Sequence, residues 1–325
     1  MILAGDIGGT KCKLALFEPV YHGRPKCVAQ RRFAVREWSS LEAVTEDFLK
    51  EAGRPKLTAA GFGVAGPVLN NQVRATNIPW IVDGAKLAQS VGLPRVRLLN
   101  DLEAMAYGLE WLEGNDLHVL NEGVPNPGAN QALIAAGTGL GEAIIYRREG
   151  VAVVVPTEGG HTDFAPRTDE EIGLLKFLLQ RRPQASWEHV LAGRGFQTIH
   201  EYLAPDARHP SFDTPDEQDP AVEISRHARE KSCAWCVRTH ELWATLYGRE
   251  AGNLAMKSLA LGGVYVGGGI AAKLLDQMRD GRFFEAFVDK SNFRPLLSKI
   301  AVRIVLNEDT PVFGAAAQAF SADVR

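Results

Sequence analysis

Cysteine is scarce in this chain: Cys12, Cys27, Cys233 and Cys236 are the only four in 325 residues, too few for a disulfide scaffold. Reduced thiols and a cytoplasmic location are therefore expected. No window is long and apolar enough to span a bilayer, so no membrane partner is expected. The first residues, Met1-Ile2-Leu3-Ala4-Gly5-Asp6, lack the basic and then apolar order of a signal peptide, and none is expected. The formal net charge of −3 comes without a run of one sign. With no basic stripe, a nucleic-acid partner is not expected. The P-loop pattern GxxxxGK[ST] is missing too. Lys257-Ser258 comes near it, but Met256 stands where the glycine is required. What remains is an ordinary globular composition, 46% hydrophobic and 23% charged, long enough for two domains.

Strands and helices are mixed along the chain, which indicates an α/β protein. Residues 2–7 read as a short buried strand, Gly8-Gly9-Thr10 as a turn, and residues 13–17 as the returning strand of a hairpin. Ser39 and Glu42 have capping-box spacing before a helix with Leu41, Val44, Phe48 and Ala52 on one face. Residues 57–64 and 97–99 are further strands. The second enters, through Asn100-Asp101, a helix with Leu102, Met105, Ala106, Leu109 and Leu112 on its buried stripe. Residues 131–136, a glycine turn at 137–141 and residues 142–146 form a second hairpin. Strand, glycine turn and strand thus occur once near the start of each half, which suggests two related lobes facing each other.

Thr168 and Glu171 predict a capped helix over 168–179. Residues 204–219, with three prolines, read as a loop. Residues 221–261 read as helical with a break near Gly248 or Gly252. Residues 264–266 form a strand that passes through Gly267-Gly268-Gly269 into a helix over 270–278. Residues 302–306 are a strand, and residues 310–320 a terminal helix with Pro311 in its first turn.

Several of these places can carry chemistry. A turn without side chains, such as Gly8-Gly9-Thr10, lets backbone N–H groups approach a phosphate, and Thr10 adds a hydroxyl. Asp6, at the strand end, can hold Mg²⁺ directly or through water. Gly-Gly alone would be a plain hairpin; the acidic residue before it and the threonine after it shift the reading. Gly137-Thr138-Gly139 repeats the device, and Gly267-Gly268-Gly269 leads into a helix N-terminus that favours anions. Gly61-Phe62-Gly63-Val64-Ala65-Gly66 spells GxGxxG, but Pro67 and Asn70-Asn71-Gln72 come next instead of a helix, against a dinucleotide site. Asn100-Asp101 stands where a strand hands over to a helix, a place for a helix cap and equally for a catalytic carboxylate. Glu158-Gly159-Gly160-His161 sets a carboxylate and an imidazole around two glycines, an arrangement suited to the hydroxyls of a polyol. His161 and Asp163 would be a metal alternative, but no companion Cys/His cluster with zinc spacing accompanies them. Glu188 is a further hydroxyl acceptor or a surface glutamate. Cys233 and Cys236 read as two semi-buried thiols one turn apart, ahead of zinc or redox chemistry.

Taken together, these segments resemble the bacterial glucokinases of the actin-like hexokinase superfamily, relatives of the repressor–kinase sugar family. The matching stretches are Gly5-Asp6-Ile7-Gly8-Gly9-Thr10, Leu99-Asn100-Asp101, Ala136-Gly137-Thr138-Gly139-Leu140-Gly141, residues 158–166, Val190-Leu191-Ala192-Gly193 and Val266-Gly267-Gly268-Gly269-Ile270. The resemblance runs essentially end to end. It implies a two-lobed actin-like ATPase (ribonuclease H-like) fold with a cleft between lobes: residues 1–111 with 310–325 as a small domain, and residues 112–309 as a large one. It implies ATP-dependent phosphorylation of glucose at the 6-hydroxyl, with ATP and Mg²⁺, and a homodimer. Asp101 would be the catalytic base, and Asn100, Glu158, His161 and Glu188 sugar ligands. Gly8, Gly9, Thr10, Gly137, Thr138 and Gly139 would be phosphate contacts, and Gly267, Gly268 and Gly269 adenosine contacts. The zinc-binding cysteine cluster of the repressor–kinase family is missing, which implies the zinc-free branch. The first glycine turn comes too early for a preceding helix-turn-helix, so none is expected. Glu142 departs from the family pattern, because a carboxylate beside triphosphate is repulsive unless it points away or helps hold the metal. The alternatives are a kinase for another hexose, a non-catalytic sugar sensor and an actin-like filament protein.

Overall fold

The structure, a computed structural model, describes residues 1–19, 24–74, 80–205 and 220–320. The proline-bearing loop expected at 204–219 falls, from residue 206 onward, outside the described residues. The chain divides into two compact units. One comprises Met1–Leu117, Val154–Pro156 and Asn307–Arg325; the other comprises His118–Val153 and Thr157–Leu306.

The first unit is built on a five-stranded sheet. Its strands are β1 (Ile2–Ile7), β2 (Lys11–Phe17), β3 (Cys27–Ala34), β4 (Ala59–Val64) and, after a small three-stranded sheet of β5 (Val68–Leu69), β6 (Gln72–Arg74) and β7 (Ile81–Asp83), β8 (Arg97–Asn100). The order is β3-β2-β1-β4-β8. β1 pairs antiparallel with β2 and parallel with β4, which pairs parallel with β8. β4 is buried at every position, as expected of a central strand covered on both faces. Leu3, Leu14, Phe33 and Phe62 pack on one side with Val44 and Phe48 of the helix Leu41–Glu51. Ile2, Ala4, Ala15 and Phe17 pack on the other with Val312, Phe313 and Ala316 of the terminal helix Thr310–Gln318.

Some local expectations need adjusting. Ser40, not Ser39, caps the helix Leu41–Glu51, accepting the Ala43 N–H at 3.2 Å. The helix after β8 spans Asp101–Gly108 and tightens into a 3₁₀ turn at Leu109–Trp111, so the stripe drawn to Leu112 is too long. The GxGxxG lookalike is β4 itself. A Cβ at Gly61 would lie 2.3 Å from the Ala315 carbonyl oxygen, so this glycine admits the terminal helix, and β5 rather than a helix comes next.

The second unit has a six-stranded sheet of β9 (Leu117–Asn121), β10 (Gln131–Ala136), β11 (Leu140–Arg148), β12 (Val151–Thr157), β13 (Gly263–Gly267) and β14 (Val302–Val305), in the order β12-β11-β10-β13-β14-β9. β10 pairs antiparallel with β11 and parallel with β13. Against it pack the helices Asp169–Leu179, Trp187–Leu191, Gly193–Leu203 and Ala234–Ser258, around a core that includes Trp187, Phe196, Trp243, Tyr247 and Phe283. The capping box of Thr168 and Glu171 forms as its spacing predicts.

The helical stretch expected over 221–261 is two helices, Pro220–Arg229 and Ala234–Ser258, and it breaks between them rather than at Gly248 or Gly252. Both glycines lie inside the longer helix for reasons of space. A Cβ would fall 2.0 Å from the Phe283 carbonyl oxygen at Gly248, and 2.5 Å from that of Phe287 at Gly252, so the helix Arg282–Val288 can press against this face. The helix expected over 270–278 is likewise two short ones, Gly269–Lys273 and Leu275–Met278.

Candidate active site

In the first unit the candidate residues gather at the carboxyl edge of the sheet. The register places Ile7 of β1 beside Val64 of β4, and Val64 beside Asn100 of β8. The turn Gly8-Gly9-Thr10 and the dipeptide Asn100-Asp101 therefore leave the sheet along one row of its edge, where ligands of parallel sheets bind. The turn is closed by the Gly8 N–H donating to the Lys11 carbonyl at 2.9 Å, and Thr10 holds the adjoining segment by accepting the Val35 N–H at its carbonyl, at 3.1 Å.

Asn100 is the cap of the helix Asp101–Gly108. Its Oδ1 accepts from Leu102 N at 3.0 Å and Glu103 N at 3.3 Å, and its Nδ2 donates to the Gly66 carbonyl at 3.1 Å. Asp101 Oδ1 also accepts from Leu102 N, at 2.9 Å, which orients the carboxylate at the first residue of the helix. Of the two roles the sequence offered for this dipeptide, the cap is observed, and it leaves the Asp101 carboxylate at the same sheet edge as the first glycine turn.

Asp6, one residue before the end of β1, is densely surrounded. Burial and then the negative charge of Asp101 push its carboxyl up to about 7, against smaller opposing contributions from Lys13 and Arg32. Lys13 is directed elsewhere: its ammonium pairs with Asp309. Burial is the larger cause, and the Asp101 charge beside it marks a place where a divalent cation would relieve repulsion; oxygen donors suit Mg²⁺. Asp6 therefore fits the metal role given to it.

In the second unit, Ala136 at the end of β10 faces Leu140 of β11, and Ala135 is level with Gly267 of β13, so two glycine turns leave that carboxyl edge together. Gly137 N–H donates to the Gly139 carbonyl at 2.9 Å, and the Gly137 carbonyl accepts Gly193 N–H at 2.9 Å. Gly268 has φ +82°, and a Cβ there would lie 2.2 Å from the Ala136 carbonyl oxygen. Only glycine combines that conformation with that approach. Tyr247, fully buried, fastens the two strand ends: its hydroxyl oxygen accepts Ala136 N–H of β10 at 3.1 Å, and its O–H lies 3.5 Å from the Gly267 carbonyl oxygen of β13. Sequence reasoning passed over Tyr247, because nothing local distinguishes it from any other core aromatic on a helix.

Glu158, His161 and Glu188 come together beside these turns. His161 Nε2 lies 3.8 Å from Glu158 Oε2, and His161 Nδ1 lies 3.8 Å from Glu188 Oε1. Glu158 is 80% exposed and His161 59%, so both present their polar atoms to solvent, while Glu188 is mostly covered. Glu188 spends its other oxygen on the main chain, accepting Leu140 N–H at 2.9 Å. Glu188 is therefore more than a surface glutamate: it ties the group of Glu158 and His161 to the second glycine turn.

Glu142 points away from that turn into the protein. It is buried, and a Cβ at Gly159 would lie 2.0 Å from its Oε2. Burial and the Glu250 charge push its carboxyl up to about 8, while Glu250 is held by Asn253 at 2.7 Å and Lys257 at 3.2 Å. Burial raises the Glu250 carboxyl as well, so the two buried acids together resist a second negative charge, and Glu142 turns inward rather than toward the second glycine turn.

Duplicated sheets of the order seen here, each with a glycine hairpin at its carboxyl edge, define the class of two-lobed actin-like ATPases, and solved structures agree. A glucokinase from an Antarctic psychrotroph superposes with a TM-score of 0.87 at 29% identity, over 99% of both chains. A ROK family glucokinase from Streptomyces griseus, solved with glucose and AMPPNP, gives 0.67 at 24% identity, over 98% of both, a likeness of fold. The family model Glucokinase matches residues 3–322, and the chain is 37% identical to the glucokinase of Nostoc punctiforme, over 97% of this chain and 98% of that one. It is 33% identical to that of Yersinia pestis, over 97% and 95%. The chain belongs to the glucokinase family and is a hexose kinase.

Proposed function

We propose that the protein transfers the γ-phosphoryl group of ATP to the 6-hydroxyl of glucose, giving glucose 6-phosphate and ADP. The observation that carries this reading is the row formed by Asp6, the Gly8–Thr10 turn and Asp101 at one sheet edge, which sets a carboxylate base beside a phosphate-binding turn. Asp101 accepts the proton of the 6-hydroxyl as its oxygen attacks the γ-phosphorus in line and ADP leaves. Amide N–H groups of the Gly8–Thr10 and Gly137–Gly139 turns meet the phosphate oxygens, and the Gly267–Gly269 turn meets the adenosine. Asn100, Glu158, His161 and Glu188 orient the sugar hydroxyls. Asp6 would hold Mg²⁺, which supplies counter-charge to the phosphates when bound. Phosphoryl transfer draws most of its rate from such positioning and electrostatics.

The test is ADP release by purified protein with ATP, Mg²⁺ and a panel of hexoses, with a sugar-free control. Glucose-dependent release supports the reading. Turnover only with another hexose changes the substrate, and sugar binding without turnover identifies a sensor. A cytoplasmic homodimer completes the proposal: the reduced-thiol composition supports the location, the family resemblance supports the dimer, and sedimentation would measure it. Among the described residues no helix is long and apolar enough to cross a membrane.

A further inference from the structure

The pair Cys233 and Cys236 has no part in the reaction, and its spacing alone gives two thiols a turn apart. The fold adds a third group. His200, in the last turn of the helix Gly193–Leu203, lies beside Cys233, the cap of the helix Ala234–Ser258, and Cys236 in that helix's first turn. The ligand atoms of His200, Cys233 and Cys236 all lie within 4.8 Å of one another. His200 and Cys236 are buried, while Cys233 reaches the surface.

We propose that His200, Cys233 and Cys236 form a zinc site that clamps the end of one helix to the start of the other, with water in the fourth position on the Cys233 side.

Two thiolates and an imidazole are the donor set a borderline-soft divalent cation selects. In a tetrahedral site with the usual zinc bond lengths, such donors stand about 3.5–3.8 Å apart, so the observed spacing needs only small side-chain rotations to close. Binding releases both thiol protons: Zn²⁺ with two thiols and a neutral imidazole gives a neutral dithiolate complex and two H⁺. That neutrality suits Cys236, which belongs to the same apolar core as Phe196, Ile199 and Trp243. The clamp also has a mechanical consequence. The helix that ends near His200 begins at Gly193, whose N–H holds the Gly137 carbonyl of the second glycine turn. The site is separate from the missing cysteine cluster of the repressor–kinase relatives: it is assembled by tertiary packing across two helices.

The test is Co²⁺ titration of chelator-treated, reduced, full-length protein. The expected result is one equivalent bound with intense thiolate-to-cobalt absorption, displaced by Zn²⁺, and a rise in Tm with Zn²⁺. Cys233→Ser, at the half-buried ligand, loses both signals while keeping the far-UV circular dichroism of a folded chain. The double variant Cys12→Ser, Cys27→Ser keeps both. Absent absorption in the wild type, or absorption that survives in Cys233→Ser, overturns the proposal. So does a Cys233–Cys236 disulfide in air from a chain that takes up no metal when reduced.

Discussion

The two units carry the same sheet plan with different burdens. In the first, a hairpin of β2 and β1 is joined by parallel β4 and β8; in the second, β11 and β10 are joined by parallel β13 and β14. Each hairpin turn is glycine-rich and opens on the carboxyl edge of its sheet. The difference lies in the residues at the ends of the parallel strands. In the first unit the outer parallel strand hands over to Asn100-Asp101, and acidity concentrates there, Asp6 with Asp101. In the second, the strand beside β10 ends in Gly268 and a short helix, and the acidic and imidazole groups cluster on the turn after β12 and on a short helix. In the proposed reaction, one scaffold would therefore supply the base and the cation-binding carboxyl, and the other neutral main-chain N–H groups and hydroxyl acceptors.

The division of labour is broken most directly at Asp101. Asp101→Asn retains an oxygen acceptor for Leu102 N and so keeps the helix start, but it cannot take a proton. We expect kcat to fall about 10²- to 10⁴-fold with an unchanged Tm, read by steady-state kinetics and thermal melting. The corresponding lesions in the second unit, Glu158→Gln and His161→Ala, should mainly weaken glucose binding. Leaving polar partners unmatched costs about 1–3 kcal/mol, roughly a 5- to 150-fold rise in glucose Kd by calorimetry. Unchanged affinity in both variants would remove these residues from the sugar map.

A structural lesion sharpens the contrast. Gly268→Ala forces a side chain into φ +82° and against the Ala136 carbonyl, so we expect a loss of at least about 1–3 kcal/mol in chemical denaturation and a raised ATP KM. Smaller effects should track pH. Asp6, raised to about 7 from 3.8, contributes stability in acid that is lost as pH rises through 7, because the folded state holds a proton the unfolded chain has released. The proposed Mg²⁺ role needs Asp6 as carboxylate, so the Mg²⁺ concentration for half-maximal rate should climb as pH falls below about 7, a slope Asp6→Asn should abolish. Glu142→Gln, which has no proton to lose in either state, should raise Tm at pH 7, where the folded wild type holds a proton that the unfolded chain has released. It should flatten the stability lost by the wild type as pH rises through about 8.

Much of the scaffold was legible locally. The glycine hairpins, the Thr168 capping box and the strand-to-helix passage at Asn100-Asp101 all stand where spacing predicts, because turns and caps are decided by residues a few positions apart. Errors arose where local signals were ambiguous. Glycine propensity predicted a helix break at Gly248 or Gly252, yet both serve contact with a distant helix.

By itself, then, the sequence determined the two glycine hairpins, the parallel strands beside them and which residue types could carry phosphoryl transfer, since backbone conformation at a glycine turn or a cap is set by its immediate neighbours. Only the tertiary structure decided that Glu142 turns inward to Glu250, that Glu188 holds Leu140, that Tyr247 fastens two strand ends, and that His200 stands beside Cys233 and Cys236. Each joins residues far apart in the chain, and their burial and charge state are set by what packs around them, which no local pattern encodes.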